Sequence, residues 1–423
     1  MTQKKHTRQN HAGFWIGLAL ISAQVSWVPT ANSAAATEQP AWFKTAMAKE
    51  KKRLRRGSKF VLDGDVLTGK IPGKIISRPE KSEGSWYFSS NIGTDSPLEC
   101  AYYEEPLNIA QATSEVADNI VAAMVNVHGP MKSKALMAAS VGHNEGRPVL
   151  ALEWLYTVGK ENNVQAGLAK VRSTTIGDTV LLCWHNELGY RETFERAFDS
   201  VVSSAKGVEV ETPYYQSLYL QSLDDKPIGF VQMSFIEDAD GDTRSTVVNA
   251  SLLAVDNKTL STTDSATVGY STPTGSLINA LASSANNGET TFNLKLDPVE
   301  GEQWRVSGEY QGKALDVPLQ SGGDIISELG QVLAIAALQQ TADQNEVVLN
   351  TWLPDVDPTK FIPAEIVLDA KDPSSGQMAV SGIEMSVKLD DSGNMLQGTG
   401  KLAQFEVGVE LVWEQGKLPG PQK

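Results

Sequence analysis

Few residues in this 423-residue chain combine a reactive type with a spacing that chemistry could use. Asp355 and Asp357 are the clearest pair. They lie in Trp352-Leu353-Pro354-Asp355-Val356-Asp357-Pro358-Thr359-Lys360-Phe361-Ile362-Pro363 and could divide the acid and base roles of a hydrolase or glycan-active enzyme. Three prolines stiffen that run and remove backbone donors, so it must cross between strands as a loop, and the same aspartates can instead cap turns ahead of Pro358. Cys183-Trp184-His185 is the second candidate, because residues two apart share a face of a strand and would set a thiol beside an imidazole. No cation or helix start adjoins it to lower the thiol pKa, and the only other cysteine is Cys100. In an oxidising compartment such an isolated pair reads as a structural disulfide, Cys100 to Cys183, worth about 4 kcal/mol in the chain-entropy account of loop closure.

The remaining acidic and histidine motifs fail the geometry they suggest. Asp238-Ala239-Asp240-Gly241-Asp242 resembles the start of a calcium loop, but Gly stands fourth instead of sixth and Asn249 occupies the place of the bidentate Glu. An acidic hairpin turn is the better account, and Asp390-Asp391-Ser392-Gly393-Asn394 is read the same way. His128 and His143 fall in or beside loops without zinc-ligand spacing, and Gly-x-Ser-x-Gly, Walker and HExxH signatures are absent. No metal and no cofactor is expected, and the balance leans away from an enzyme.

The amino terminus predicts export. Lys4, Lys5 and Arg8 precede the apolar run Phe14 to Val28, and small residues follow from Ala31 to Ala36, the order of a secretory signal peptide over residues 1–33. Gln24 interrupts the run, which is shorter than the roughly 20 residues that span a bilayer, so a retained anchor is the weaker alternative. With no cysteine near the cleavage region, lipid anchoring is disfavoured. A periplasmic protein is expected, with secretion as the other outcome. Removing residues 1–33 leaves 33 Lys and Arg against 51 Asp and Glu, a net charge of −18. That charge is uneven: Ala41 to Lys81 carries 12 basic and 4 acidic residues, and Ser82 to Lys423 a net −25. An acidic body is poorly suited to nucleic acid. Its basic head, with Lys51, Lys52, Arg53, Arg55 and Arg56 at its centre, could touch a membrane or an acidic partner, or be a solvated linker.

The elements that would position these residues are mostly strands. Val231, Met233 and Phe235 alternate with Phe230, Gln232 and Ser234, and Asp224-Asp225-Lys226-Pro227 and Asp240-Gly241 supply turn chemistry on either side. The same style recurs at Phe292 to Leu296, Trp304 to Tyr310, Ile383 to Leu389 and Phe405 to Trp413. One helix is expected from Asp324 to Gln340, with Asp324 as N-cap. Earlier, helices over Asn108 to Val127 and Arg191 to Ser204 bracket four strand-like runs, with one strand starting at Trp86. The fold class is α+β: an amino-terminal antiparallel sheet with flanking helices, then a larger, mostly antiparallel, half-barrel-like β domain with one helix. The expected divisions are a basic, Gly/Pro-punctuated linker or arm over 34–84, an α/β domain over 85–206, a linker over 207–213 and the β-rich domain over 214–423.

The element order, with the helix Phe194-Glu195-Arg196-Ala197-Phe198-Asp199-Ser200, resembles the PsbP-like α/β/α domains of exported and organellar proteins, which implies an assembly or binding module and no catalytic residue. The strand pair from Tyr219 to Phe230, with Lys226-Pro227-Ile228-Gly229-Phe230, is similar to the LolA-like lipoprotein carriers, which implies an acyl chain or another envelope component held in a concave sheet. Three functions are left to distinguish: a non-enzymatic envelope protein binding a lipid, lipoprotein or protein partner through its sheets; an Asp/Glu-dependent enzyme; and a membrane-surface adaptor acting through the basic segment.

Overall fold

Alternation of apolar and polar side chains commits most of the chain to strands with one buried face. The computed structural model describes residues 40–418, apart from 63, 65, 104–107, 161–162, 178, 208–210, 301–302 and 342. The signal peptide expected over 1–33 lies outside these residues. The first half comprises α1 (Ala41–Met47), β1 (Ser58–Val61), β2 (Leu67–Ile71), β3 (Lys74–Ser82), β4 (Ser85–Asn91), β5 (Leu98–Tyr103), α2 (Ile109–His128), β6 (Met131–Asn144), β7 (Arg147–Lys160), β8 (Asn163–Ile176), β9 (Thr179–Asn186), α3 (Arg191–Ser204) and β10 (Lys206–Gly207). The second half runs through β11 (Tyr215–Leu223), β12 (Lys226–Glu237), β13 (Thr243–Ala254), β14 (Leu260–Ser271), β15 (Leu277–Asn286), β16 (Glu289–Pro298), β17 (Gln303–Tyr310) and β18 (Lys313–Gln320) to α4 (Glu328–Gln339). It ends with β19 (Glu346–Thr351), β20 (Ile362–Asp369), β21 (Asp372–Val380), β22 (Ile383–Leu389), β23 (Met395–Leu402) and β24 (Phe405–Gly416).

Three antiparallel sheets result, in the orders β1-β2-β10, β3-β4-β5-β9-β8-β7-β6, and a fourteen-stranded meander in which β11 pairs with both β12 and β24. One arm of the meander runs out to β18 and the other returns from β19, and no sheet closes on itself among the described residues. Residues 58–61, 67–71 and 74–82, within the stretch expected as a linker or arm, form β1, β2 and β3. Phe60, Leu62, Leu67 and Ile71 are fully buried, packed with Phe194, Phe198 and Val201 of α3, so this short Gly-punctuated stretch shares the core of a helix formed far later in the chain. The seven-stranded sheet also has two strands more than expected, β3 at its edge and β5 between β4 and β9.

The helix α4 starts later than the sequence suggests, with Ser327 and not Asp324 as its cap: the Ser327 hydroxyl accepts from Gly330 N at 3.2 Å. The cause is competition for backbone. Leu277 N donates to Ile325 O at 2.8 Å, Ile326 N to Asn350 O at 2.9 Å and Ser327 N to Gly275 O at 2.9 Å, so these residues are spent bridging β15 and β19 before the helix can begin. Once started, α4 is apolar on nearly every side, the signature of a helix inside a core. Leu329, Val332, Leu333, Ile335 and Leu338 join one cluster with Tyr219, Met233 and Phe235 from one arm of the meander and Ile366, Met385 and Val407 from the other. Each such side chain contributes about 1.5–3 kcal/mol by leaving water.

The two halves share a core through α2. Ile109, Ala117, Ile120 and Val121 pack with Leu152, Trp154 and Val171 of the first sheet and with Leu218, Phe230 and Leu252 of the second. Asn108 makes no side-chain cap; the carboxylate of Asp264, on β14, instead accepts from Ala110 N at 2.8 Å and Gln111 N at 3.0 Å. Burial pushes the Asp264 carboxyl up to about 6, against the pull of those donors.

Candidate functional site

A sheet can hold a ligand only on a face that is open, and here α4 is packed against both arms of the fourteen-stranded sheet. The packing is close enough to require glycine. A Cβ on Gly330 would come 2.3 Å from Gly275 O, and one on Gly393, whose φ is +78°, would come 2.6 Å from Val332 O and Ala336 N. The helix is therefore seated between two loop backbones and not held only by side chains. A groove of about 430 Å³ lies on the opposite, outer face of β20 to β23, lined by polar residues such as Gln377, Ser386, Lys388, Gln397 and Thr399.

The aspartates singled out from sequence do not act as a pair. Asp357 accepts from Thr359 N at 2.9 Å and Thr359 Oγ1 at 2.6 Å and pairs with Lys360 at 2.9 Å. It is a turn cap, with its pKa lowered by those donors against the opposing effect of burial. Asp355 is half-buried and bonded to Ser284 of β15, and burial pushes its carboxyl up to about 7. The loop itself seals an apolar cluster, with Trp352 and Phe361 packed on β15 to β18. Asp238 accepts from the backbone N–H groups of Asp240 and Asp242, both at 3.0 Å, and Asp390 from Ser392 and Asn394 at 2.8 and 2.9 Å, so both acidic runs are turns. No grouping of three or more potential metal ligands occurs among the described residues.

Cys100 and Cys183 sit opposite one another on β5 and β9 and form a buried disulfide. The thiolate alternative is thereby removed. His185, on the same face as Cys183, is fully buried, and burial together with Lys170 holds its imidazole down at about 3. Lys170 is the ionisable residue that the sequence did not flag: a single lysine in an alternating strand reads as solvent-facing. It is buried, lowered by that burial to about 7, and its Nζ donates to the carbonyls of Glu187 and of Gly189, the latter at 2.8 Å. Glu153, bridged to Arg191, lies near enough to offset part of the cost. Enclosed in this way, Lys170 holds down the turn that precedes α3.

The basic segment is an extended strap across that turn. Tyr190 N donates to Lys49 O at 2.7 Å, and the Glu50 carboxylate accepts from Glu192 N at 3.1 Å and Thr193 N at 2.8 Å, capping α3. Arg196 donates to the carbonyls of Lys51 and Lys52, and Arg55 to Asn91 Oδ1 at 3.1 Å. With the backbone tied down, Lys52, Arg53, Arg55 and Arg56 stand exposed, while Lys51 is half-buried over the Tyr190 ring.

No family model and no curated protein sequence matches the chain. Among solved structures it is similar to a beta-barrel-like protein of the domain of unknown function DUF1849 from Brucella abortus, with 12% identity and a TM-score of 0.34 over 49% of this chain and 99% of that one. It is also similar to cyanobacterial PsbP (CyanoP) from Synechocystis sp. PCC 6803, with 16% identity and a TM-score of 0.26 over 38% of this chain and 97% of that one. The chain thus bears a weak resemblance to PsbP-like and barrel-like domains.

Proposed function

We propose that this chain is an exported, periplasmic, non-enzymatic binding or assembly protein of the cell envelope, whose second sheet is a half-barrel closed over its own helix. The observation that supports it is the packing of α4 against both arms of that sheet: the face a carrier would reserve for an acyl chain is occupied by Leu329, Leu333 and their neighbours. Recognition then falls to outer surfaces, such as the polar groove across β20 to β23. The buried disulfide and the basic-apolar-small amino terminus support an oxidising compartment. The test is a photo-crosslinking residue at Gln377 or Gln397, compared in living cells with one at Leu333. Discrete high-mass adducts from the groove and none from α4 are expected; adducts only from position 333 would make the protein a carrier.

The elevated Asp355 carboxyl is what an acid catalyst would need, and favours the enzyme as second reading. Under it, Asp355→Asn abolishes an activity and leaves the melting curve unmoved.

A further inference from the structure

The strap does not stand alone at its end of the molecule. Strand register directs toward one end of the seven-stranded sheet the start of β3 (Lys74 opposite Asn91), the end of β9 (Asn186 opposite Ala169), the start of β6 (Met131 opposite Val158) and the β7 to β8 hairpin (Lys160 opposite Asn163), which reaches about 20 Å beyond the end of β9. The helix α2 ends there too, where Gly159 N donates to Pro130 O at 3.0 Å. The strap and the last turn of α1 complete this end: a Cβ on Gly189 would meet Ala46 O at 2.3 Å. The second half of the chain covers the other end, with Asp264 capping α2 and the Trp413 indole covering Gly146, and it reaches along β6 as far as Leu136, whose N donates to Asn257 O at 2.7 Å.

Two kinds of exposed side chain meet on the free end. Val127 is 73% exposed, Trp42 60%, Met131 51% and Val164 49%, at the end of α2, on α1, at the start of β6 and at the start of β8. Between them stand exposed cations, Lys132 and Lys160 beside the hairpin and Lys52, Arg53 and Arg55 on the strap. Exposed acids are present as well, Asp95 and Glu192, but Glu50 and Glu187 are turned onto backbone N–H groups. A single exposed valine is unremarkable; four large exposed apolar groups together with lysines and arginines are the composition of a surface that enters a headgroup layer.

We propose that this end of the amino-terminal domain docks on an anionic lipid surface, with the strap cations on the phosphates and Trp42, Val127, Met131 and Val164 in the headgroup region. Charge complementarity selects the ligand and the pose. With a net −25 over residues 82–423, charge favours the approach that leads with the strap. An acidic protein partner would match the cations but not the four exposed apolar side chains, which a headgroup layer can take up. The setting assumes the envelope reading; the site does not, because it lies on another domain from the groove.

The test is flotation of residues 34–423 with phosphatidylglycerol-containing vesicles and with phosphatidylcholine vesicles, at about 0.05 and 0.5 M salt. Flotation with the anionic vesicles alone, weakening at high salt, is expected. Combined Lys52→Glu, Arg53→Glu and Arg55→Glu should reduce partitioning at least about tenfold. Combined Val127→Ser, Met131→Ser and Val164→Ser should leave some binding at low salt and abolish it at high salt. Lys371→Glu with Lys401→Glu, on the second domain, should have no effect, and circular dichroism melting confirms that each variant is folded. No flotation of the unaltered chain, or flotation indifferent to the strap variant, overturns the proposal, as does strap-dependent retention on polyglutamate without vesicle binding, which would assign the strap to an acidic protein. Crosslinks from Gln377 and Gln397 are unaffected by any of these outcomes, so the two readings fail separately.

Discussion

The two large sheets solve the same problem with different materials. The seven-stranded sheet is covered on both faces, by α2 and by α3 with β1 and β2, and is fastened with polar devices: a cross-strand disulfide, a lysine caged by carbonyls, and a strap whose glutamate caps a helix. The fourteen-stranded sheet has no cysteine and is centred on one apolar helix squeezed between glycines. A sheet whose two arms pack on its own helix has that face occupied, whereas the smaller domain keeps a free, chemically mixed end. On the proposed reading, the larger domain meets partners only through its outer faces, such as the groove across β20 to β23, and the smaller one through its free end.

The comparison breaks most visibly if α4 is not structural. Leu329→Asp places a charge in the core of the second sheet and should cost about 5 kcal/mol or more, melting the carboxyl half while the disulfide-bonded half stays folded. Hydrogen exchange resolved by domain reads this out, and uniform loss would mean that the halves fold as one unit. Cys100→Ser with Cys183→Ser is the reciprocal cut, expected to cost about 4 kcal/mol and to lower the amino-terminal transition first. A thermal scan with and without reductant checks it.

The junction gives the next effect in size. Asp264→Ala removes the cap on α2 and should cost about 1–2 kcal/mol, separating the two transitions. Because burial raises this carboxyl to about 6, its protonated form favours the folded state: that contribution is full below about pH 4 and is lost as pH rises through about 6. Asp264→Asn should therefore flatten the decline in melting temperature across this window. The smallest effect sharpens the case against catalysis. Asp355, raised to about 7, is likewise destabilising once ionised, so Asp355→Asn should raise the melting temperature more at pH 8 than at pH 5, by roughly 1 kcal/mol after allowance for solvent at a half-buried site. No gain at pH 8, with loss of an activity, would favour the enzyme.

What could be read in advance follows from how local each determinant is. Strands such as Gly229 to Phe235 and helices such as Arg191 to Ser204 announce themselves by period, because each residue's partner face is decided by its neighbours two or four positions away. The start of α4 was illegible because Ile325 and Ile326 bond to strands on either side of the seam. The burial of Phe60 and Ile71 depends on α3, more than a hundred residues distant, so a Gly-rich stretch concealed two strands. Lys170 was missed for the same reason: its partners are backbone carbonyls, which carry no sequence signal. Of the candidate site, the disulfide and the turn-capping role of Asp357 were legible, and the strap's charges were too, but not the end of the sheet on which they lie.

Native mass spectrometry of the protein purified without detergent from its own envelope most directly tests the claim that α4 fills the hollow of the second sheet. The mass of the mature polypeptide alone is expected. A stoichiometric lipid adduct that survives desolvation, with loss of exchange protection in α4, would contradict the account and restore the carrier.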